Sequence, residues 1–540
     1  MHSKEIIIKY AVHPFNLYEK NIYLWNNIKI IFNISYLISS IIISNYISNI
    51  FKYKKKNKKK REKKCRADEL NIFIGKNIEN SNKIYIPEKG LYQNILITGT
   101  IGSGKTSSAM YPITNQLLKY KNNELDKKAG MLLLDVKGNY YNQLKKFAYE
   151  CDRIDDIVVI EIGGKYKYNP LDKPKLKASV VANRLRVILD LFSGESSESY
   201  WTDKSEQILT ECIKFCRLYN NGYVNFEEIH KLVTSQEYYN CKVEIVRNLF
   251  INNKLLKEDC YNLASSMSFF QEEFFKLDQR TMSILKSQIT RITGCFISDY
   301  QVSETFNSKK DSGYTINLSN IISEGKVVVL NMNIAQYKNL SKIIAAYLKL
   351  DFQSEVLSRL ADKNKNKTRP VCFISDEYQE YITETDADFF AQSREAKCIN
   401  IVSTQSYTSL LKTLNNESAL KVIVQNLINK IWFRTDDIYT IEEAQKQIGK
   451  EENEKISKSI SENARETKYS YLTKAFRSKD SNISESISSS YEKEFIYDVQ
   501  FFTQELQTFQ AIVFVSTGDK IIKPQKLELI PFFKRGCDEY

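Results

Sequence analysis

Eight consecutive residues, Gly99-Thr100-Ile101-Gly102-Ser103-Gly104-Lys105-Thr106, fit the spacing GxxxxGK[ST] at every fixed position. The chemistry of such a run is phosphate binding. Its glycines let successive backbone N–H groups point into one loop, and the helix that follows adds positive potential. Lys105 is placed to reach the terminal phosphates of ATP, Thr106 to offer its hydroxyl to Mg2+, and Ser107 to open the helix beside them. Hydrolysis needs acids as well, and Asp376-Glu377 closes the apolar run Arg369-Pro-Val-Cys-Phe-Ile-Ser. One carboxylate can hold Mg2+ through water while the next orients and deprotonates the attacking water. An acidic turn after a strand is the plainer alternative. Asp135, at the end of Gly130-Met-Leu-Leu-Leu, is a weaker metal candidate, placed behind Asp376 as an outer partner. Gln405 ends Lys397-Cys-Ile-Asn-Ile-Val-Ser-Thr and can sense the γ-phosphate or its water, or be a polar strand end of no special role. Arg434, ending Lys430-Ile-Trp-Phe, and Arg394, just ahead of the Gln405 strand, are candidate arginine fingers to a neighbouring subunit. A surface ion pair suits either equally well.

These residues need a parallel sheet to bring them together, because ligand sites of such sheets collect at the carboxyl ends of the strands. Asn94–Thr98 reads as a buried strand running into the glycine loop, and Ser107–Tyr120 as the helix leaving it. Lys326–Asn331 and Gln510–Val515 read as further strands, and Asn339–Leu360 as a helix. Between the two halves of the site, Leu185, Val187, Ile188, Leu191 and Phe192, and then Ile208, Leu209, Cys212, Ile213 and Cys216, repeat at helical spacing. The expected organisation is an α/β nucleotide-binding domain in two parts, 67–174 and 309–540, around an inserted all-α domain at 175–308. Residues from about 456 to 491, rich in Ser, Lys and Glu, read as a mobile polar insertion or a charged helical hairpin.

The chain has 540 residues, 42% hydrophobic and 26% charged, which suits a folded protein of more than one domain. Its ten cysteines form no paired CxxC set, so they read as thiols rather than a zinc site, and three scattered histidines suggest no histidine-based catalysis. Of the net charge of +13, the window Lys52–Lys64 supplies nine, so the body of the chain is nearly neutral and the basic balance alone does not argue for nucleic acid. Just before that window, Ile30–Phe51 is free of charged residues for 22 positions, twelve of them Ile, Leu or Phe. Residues 1–51 are therefore expected to hold one membrane helix at about 30–51, followed by a polybasic linker at 52–66 on the cytoplasmic side. Five serines and three asparagines within the segment leave an interfacial helix held by the lysines as the competitor.

The chain resembles the type IV secretion coupling proteins, the TraG/TraD group of conjugative ATPases. The resemblance rests on LYQNILITGTIGSGKTSSAMYP, on LLLDVKGNYY (with Val136 where that group has proline), and on YNPLDKP followed by SYWTDKSEQILTE. It rests also on CFISDEYQEY with SREAKCINIVSTQS, and on NKIWFRTDD ahead of Gly449. It extends over residues 90–520 and implies a RecA-like P-loop fold, ATP with Mg2+, and a homo-hexameric ring at the inner membrane. It further implies transfer of single-stranded DNA, with its relaxase or another secreted protein, toward the components of a secretion channel. Members usually carry two N-terminal membrane helices, where this chain offers one candidate. A partition or packaging translocase of the FtsK/HerA type is disfavoured by the helical insertion, and a receptor that binds ATP without turnover by Asp376-Glu377.

Overall fold

The computed structural model describes residues 69–534, apart from 136, 193–198, 253, 309–313, 463–466, 473–474 and 479–482, together with scattered helical positions between 22 and 44. Residues 1–70 and 71–540 form separate units. The polybasic linker and most of the expected membrane segment lie outside the described residues. Among the described residues no helix is long and apolar enough to cross a membrane.

The body is built on an eleven-stranded sheet. Seven strands run parallel: β3 (Ile95–Thr98), β4 (Gly130–Asp135), β5 (Ile157–Ile160), β6 (Val327–Asn331), β7 (Val371–Ser375), β8 (Cys398–Thr404) and β9 (Asn429–Phe433). Their spatial order is β9-β3-β8-β7-β4-β6-β5. Sequences such as ILIT, MLLL and VCFI are apolar without alternation because helices cover both faces of a parallel sheet. Beyond β9 the sheet continues antiparallel through β14 (Gln510–Phe514), β15 (Gln525–Glu528), β1 (Asn71–Asn77) and β2 (Lys83–Pro87).

From Ala178 to Phe306 the regular structure is helical, the longest members being Ala178–Phe192, Ser199–Tyr219 and Gln236–Ile251. Asn225, Ser235, Asp278 and Asp299 cap helices there by accepting backbone N–H groups. The expected thiols Cys212 and Cys216 are buried, and every cysteine among the described residues is free. The apolar core of these helices runs without a break into that of the sheet. One buried acid ties the two. Asp351, on the helix Ile334–Ala361, accepts from Arg184 at 2.8 Å, Lys173 at 2.5 Å and the Tyr168 hydroxyl at 2.9 Å.

The segment at about 456–491, expected as a mobile polar insertion or a charged helical hairpin, is a β-ribbon where it is described. β10 (Lys450–Glu462) pairs antiparallel with β13 (Ile483–Phe495) from Lys450↔Phe495 to Glu462↔Ile483, and β11 (Thr467–Ser470) pairs with β12 (Ala475–Ser478). The cause is an alternation with period two. Ile456, Ile460, Ile487 and Tyr491 share one face of the ribbon, all exposed, while Ser457, Ser459, Ser486 and Ser488 share the other. Lys455 bridges Glu492 and Glu494 across the strands.

Asp351→Ala would leave Arg184 and Lys173 without their acid. It is expected to destabilise the body by about 3–5 kcal/mol, measured from chemical denaturation midpoints, and to loosen the helical segment first.

Candidate nucleotide site

The glycine loop leaves the tip of β3 and is held from two sides. The Thr100 N–H donates to the Arg434 carbonyl at 2.9 Å, and the Phe509 N–H to the Ser103 carbonyl at 3.1 Å. Gly104 sits at φ +101°, and a Cβ there would lie 2.5 Å from the Phe509 ring. No side chain fits that position, in conformation or in space. The expected helix begins with a wider turn, Lys105–Met110, before the regular α-helix Tyr111–Lys119. The Lys105 ammonium is buried and donates to the carbonyls of Gly99 and Thr100, and burial lowers its pKa.

A cavity of about 420 Å³ opens over the loop. It is lined by Thr100, Ile101, Gly102 and Gly104 through Ser107, by Asp135, Lys137, Asp376 and Glu377, and by Phe509 with Tyr111 and Tyr140. Asp376 follows β7 and is nearly fully buried. It accepts from the Thr106 hydroxyl at 3.2 Å and from Ser403 at 2.9 Å. Burial, and then the charge of Glu377, push its carboxyl above the usual range. A carboxylate so placed beside a threonine hydroxyl fits a divalent cation, which would offset the cost of its charge. No cluster of three or more acids, histidines or cysteines forms among the described residues. Mg2+ asks for none, since it takes one or two carboxylates and fills its shell with water and phosphate oxygens.

Glu377 sits in left-handed backbone, φ 52° and ψ 49°, a conformation that costs energy for any residue but glycine. Its carboxylate accepts from the Lys137 ammonium, from Gln379 at 2.5 Å and from Gln405 at 3.2 Å. Burial raises its pKa, but Lys137 and the two amides outweigh burial and hold it below the usual range. The sheet therefore brings together residues from four strand tips: the loop after β3, Asp135 and Lys137 at β4, Asp376 and Glu377 at β7, and Gln405 at β8. Asp135 lines the cavity, yet its oxygens accept from the Lys137 and Tyr140 N–H groups, so it fixes the turn into the helix Tyr140–Glu150.

The two arginines do not join this group through their side chains. Arg434 meets the loop by its carbonyl, and its guanidinium is exposed. Arg394 precedes β8, at the opposite end of the strand from Gln405, roughly 20 Å away at about 3.3 Å per residue. In its own chain it is therefore remote from the site. Lys137 was legible only as a motif residue, because its partner lies 240 positions on. Phe509 carried no motif at all. Val136 lies outside the described residues.

A glycine phosphate loop at the tip of a parallel strand, with paired acids at a neighbouring tip, defines a P-loop nucleotide-binding protein of RecA-like architecture. Residues 370–496 match the family model described as the TraM recognition site of TraD and TraG. The body superimposes on the bacterial conjugative coupling protein TrwBdeltaN70 in its unbound form at TM-score 0.54 and 12% identity, over 85% of this chain and 88% of that one. It matches the plasmid coupling protein TrwB in complex with the GTP analogue GDPNP at 0.55 and 12%, over 85% and 89%. It matches TrwB in complex with ADP and Mg2+ at 0.54 and 13%, over 84% and 88%. At such identity these likenesses show a shared fold. No curated protein sequence matches the chain. The matched segment and the shared fold are what this chain has in common with the TraG/TraD coupling proteins.

Gly104→Ala is expected to weaken ATP binding at least tenfold and, through the strained backbone and the clash with Phe509, to lower the unfolding midpoint as well, as read by nucleotide titration and thermal melting. Lys137→Ala, which frees Glu377, is expected to change turnover more than tenfold with less than a threefold change in ATP affinity.

Proposed function

We propose that this chain is a membrane-associated coupling ATPase, which binds ATP with Mg2+ and uses its hydrolysis to pass single-stranded DNA, with its relaxase or another secreted protein, to a type IV secretion channel. The observation that carries this reading is the convergence of Thr106, Asp376 and Glu377 on one cavity, with Gln405 bonded to Glu377 behind it, in a fold like that of the conjugative coupling proteins.

In this reading the backbone of Gly99–Ser107 cradles the phosphates, and Lys105 transfers its hydrogen bonds from the loop carbonyls to phosphate oxygens. Thr106 and Asp376 hold Mg2+, which when bound screens the charge on the phosphates. Glu377 orients and deprotonates water, and Gln405 reports the state of the γ-phosphate to β8. Glu377 can act only after exchanging Lys137 for that water, which makes Lys137 a restraint on idle hydrolysis. Arg434 or Arg394, both exposed, supplies the guanidinium that completes the site of a neighbouring subunit in a homo-hexamer. The helical segment 175–308 forms the domain that recruits cargo, and the anchor at about 30–51 with the linker 52–66 holds the assembly at the inner membrane.

Purified full-length protein in detergent should hydrolyse ATP faster when single-stranded DNA is added, and Lys105→Ala should lower both rates at least 100-fold. A Lys105→Ala variant with unchanged DNA-stimulated turnover would refute the motor.

A further inference from the structure

A second cavity, also of about 420 Å³, lies at the end of β9 remote from the phosphate loop. Its walls include Tyr407, Leu420, Val424, Tyr439, Phe514 and Ile521. Lys430 lines it too, although that side chain is only 3% exposed.

The described residues bury four lysines. Lys128 pairs with Asp156, Lys349 with Asp386, and Lys105 belongs to the phosphate loop. Lys430 has one hydrogen bond, to the Leu427 carbonyl at 2.9 Å, and no acid pairs with it among the described residues. An ammonium carries three donors, so two have no protein acceptor there. Burial alone lowers its pKa to about 8. A buried, unpaired ammonium is costly. The residues that follow it on β9, Ile431, Trp432 and Phe433, are apolar, and an unbranched apolar side chain at 430 would fill the same space without that cost.

We propose that this cavity is a docking pocket for a carboxylate borne on an apolar segment of a partner protein, anchored by Lys430. The class of occupant follows from the lining. Among the buried residues of the lining, Tyr407, Leu420, Val424 and Lys430, the lysine is the one charged donor, which suits a single carboxylate with an apolar neighbour. Exposed Lys421 and Gln425 and half-buried Glu443 also line the cavity, so polar groups are at hand for the backbone and flanking side chains of a peptide. Most of the lining, from Tyr407 to Gln447, falls within the family-matched segment 370–496. The inference adds a partner site to the coupling reading and rests on it only for the kind of partner. Its assays read binding and not hydrolysis, so either can fail alone.

Four fluorescent peptides, titrated into the full-length protein, test it. Two end in Leu-Phe, one with a free carboxyl and one amidated. Two are amidated and carry Leu-Glu-Phe or Leu-Gln-Phe internally. The expected result is that, in at least one pair, the carboxylate peptide binds at least tenfold tighter than its uncharged analogue. Lys430→Met should abolish that preference without lowering the unfolding midpoint. The pair that shows the preference tells whether a chain end or an acidic side chain is the ligand. Equal binding within both pairs, no binding by any peptide, or a preference that survives in Lys430→Met overturns the proposal. Should Lys430→Met fail to fold, Gln425→Glu at the exposed mouth serves instead. It should weaken the carboxylate peptide at least threefold and spare the amide, and an unchanged preference overturns the proposal equally.

Discussion

The buried carboxylate of Asp376 is the point on which the nucleotide site is assembled. It joins three adjacent strands by short bonds: its own β7, the loop of β3 through Thr106, and β8 through Ser403. It is nearly fully buried, so its charge leans on the Thr106 and Ser403 hydroxyls, and a cation in the cavity would relieve it further. The strand order β3-β8-β7-β4 is what makes this geometry possible. It sets the loop, the sensing glutamine, the acids and Lys137 side by side, although the chain visits those tips in a different sequence.

Glu377 shows the same economy under strain. With its backbone left-handed, the Glu377 carboxylate meets Lys137 and Gln405, which offset the repulsion from neighbouring Asp376. The acid proposed to activate water is thus held by a cation from one strand and an amide from another. Anything that shifts β4 or β8 against β7 alters that hold.

Much of the site was readable from residue types at fixed spacing. Gly99–Thr106 announces itself because every fixed position answers to one phosphate-binding geometry, and Asp376-Glu377 because it ends an apolar run of strand length. The seven parallel strands were legible for the most part, since burial on both faces leaves a continuous apolar signature; β5, a half-buried edge strand with no motif beside it, was not. Long-range partners were not. Lys137 and Glu377 are paired by strand order, which no local pattern encodes, and Phe509 meets Gly104 from a segment without a motif. The strands β10 and β13 were not legible, because serines and charges mask a period of two carried by Ile456, Ile460, Ile487 and Tyr491, which left a mobile insertion or a helical hairpin as the readings. Arg394 precedes the strand that ends in Gln405, and because a strand runs the length of the sheet it sits at the far end from the acids of its own chain.

The central claim is that Glu377 performs chemistry while the glycine loop performs binding. Single-turnover hydrolysis of radiolabelled ATP by Glu377→Gln tests it most directly, with ATP affinity measured in parallel. The account predicts affinity within threefold of the parent protein and a hydrolysis rate at least 100-fold lower, because the amide keeps the shape of the site and cannot take a proton. Hydrolysis by Glu377→Gln at the parent rate would contradict it.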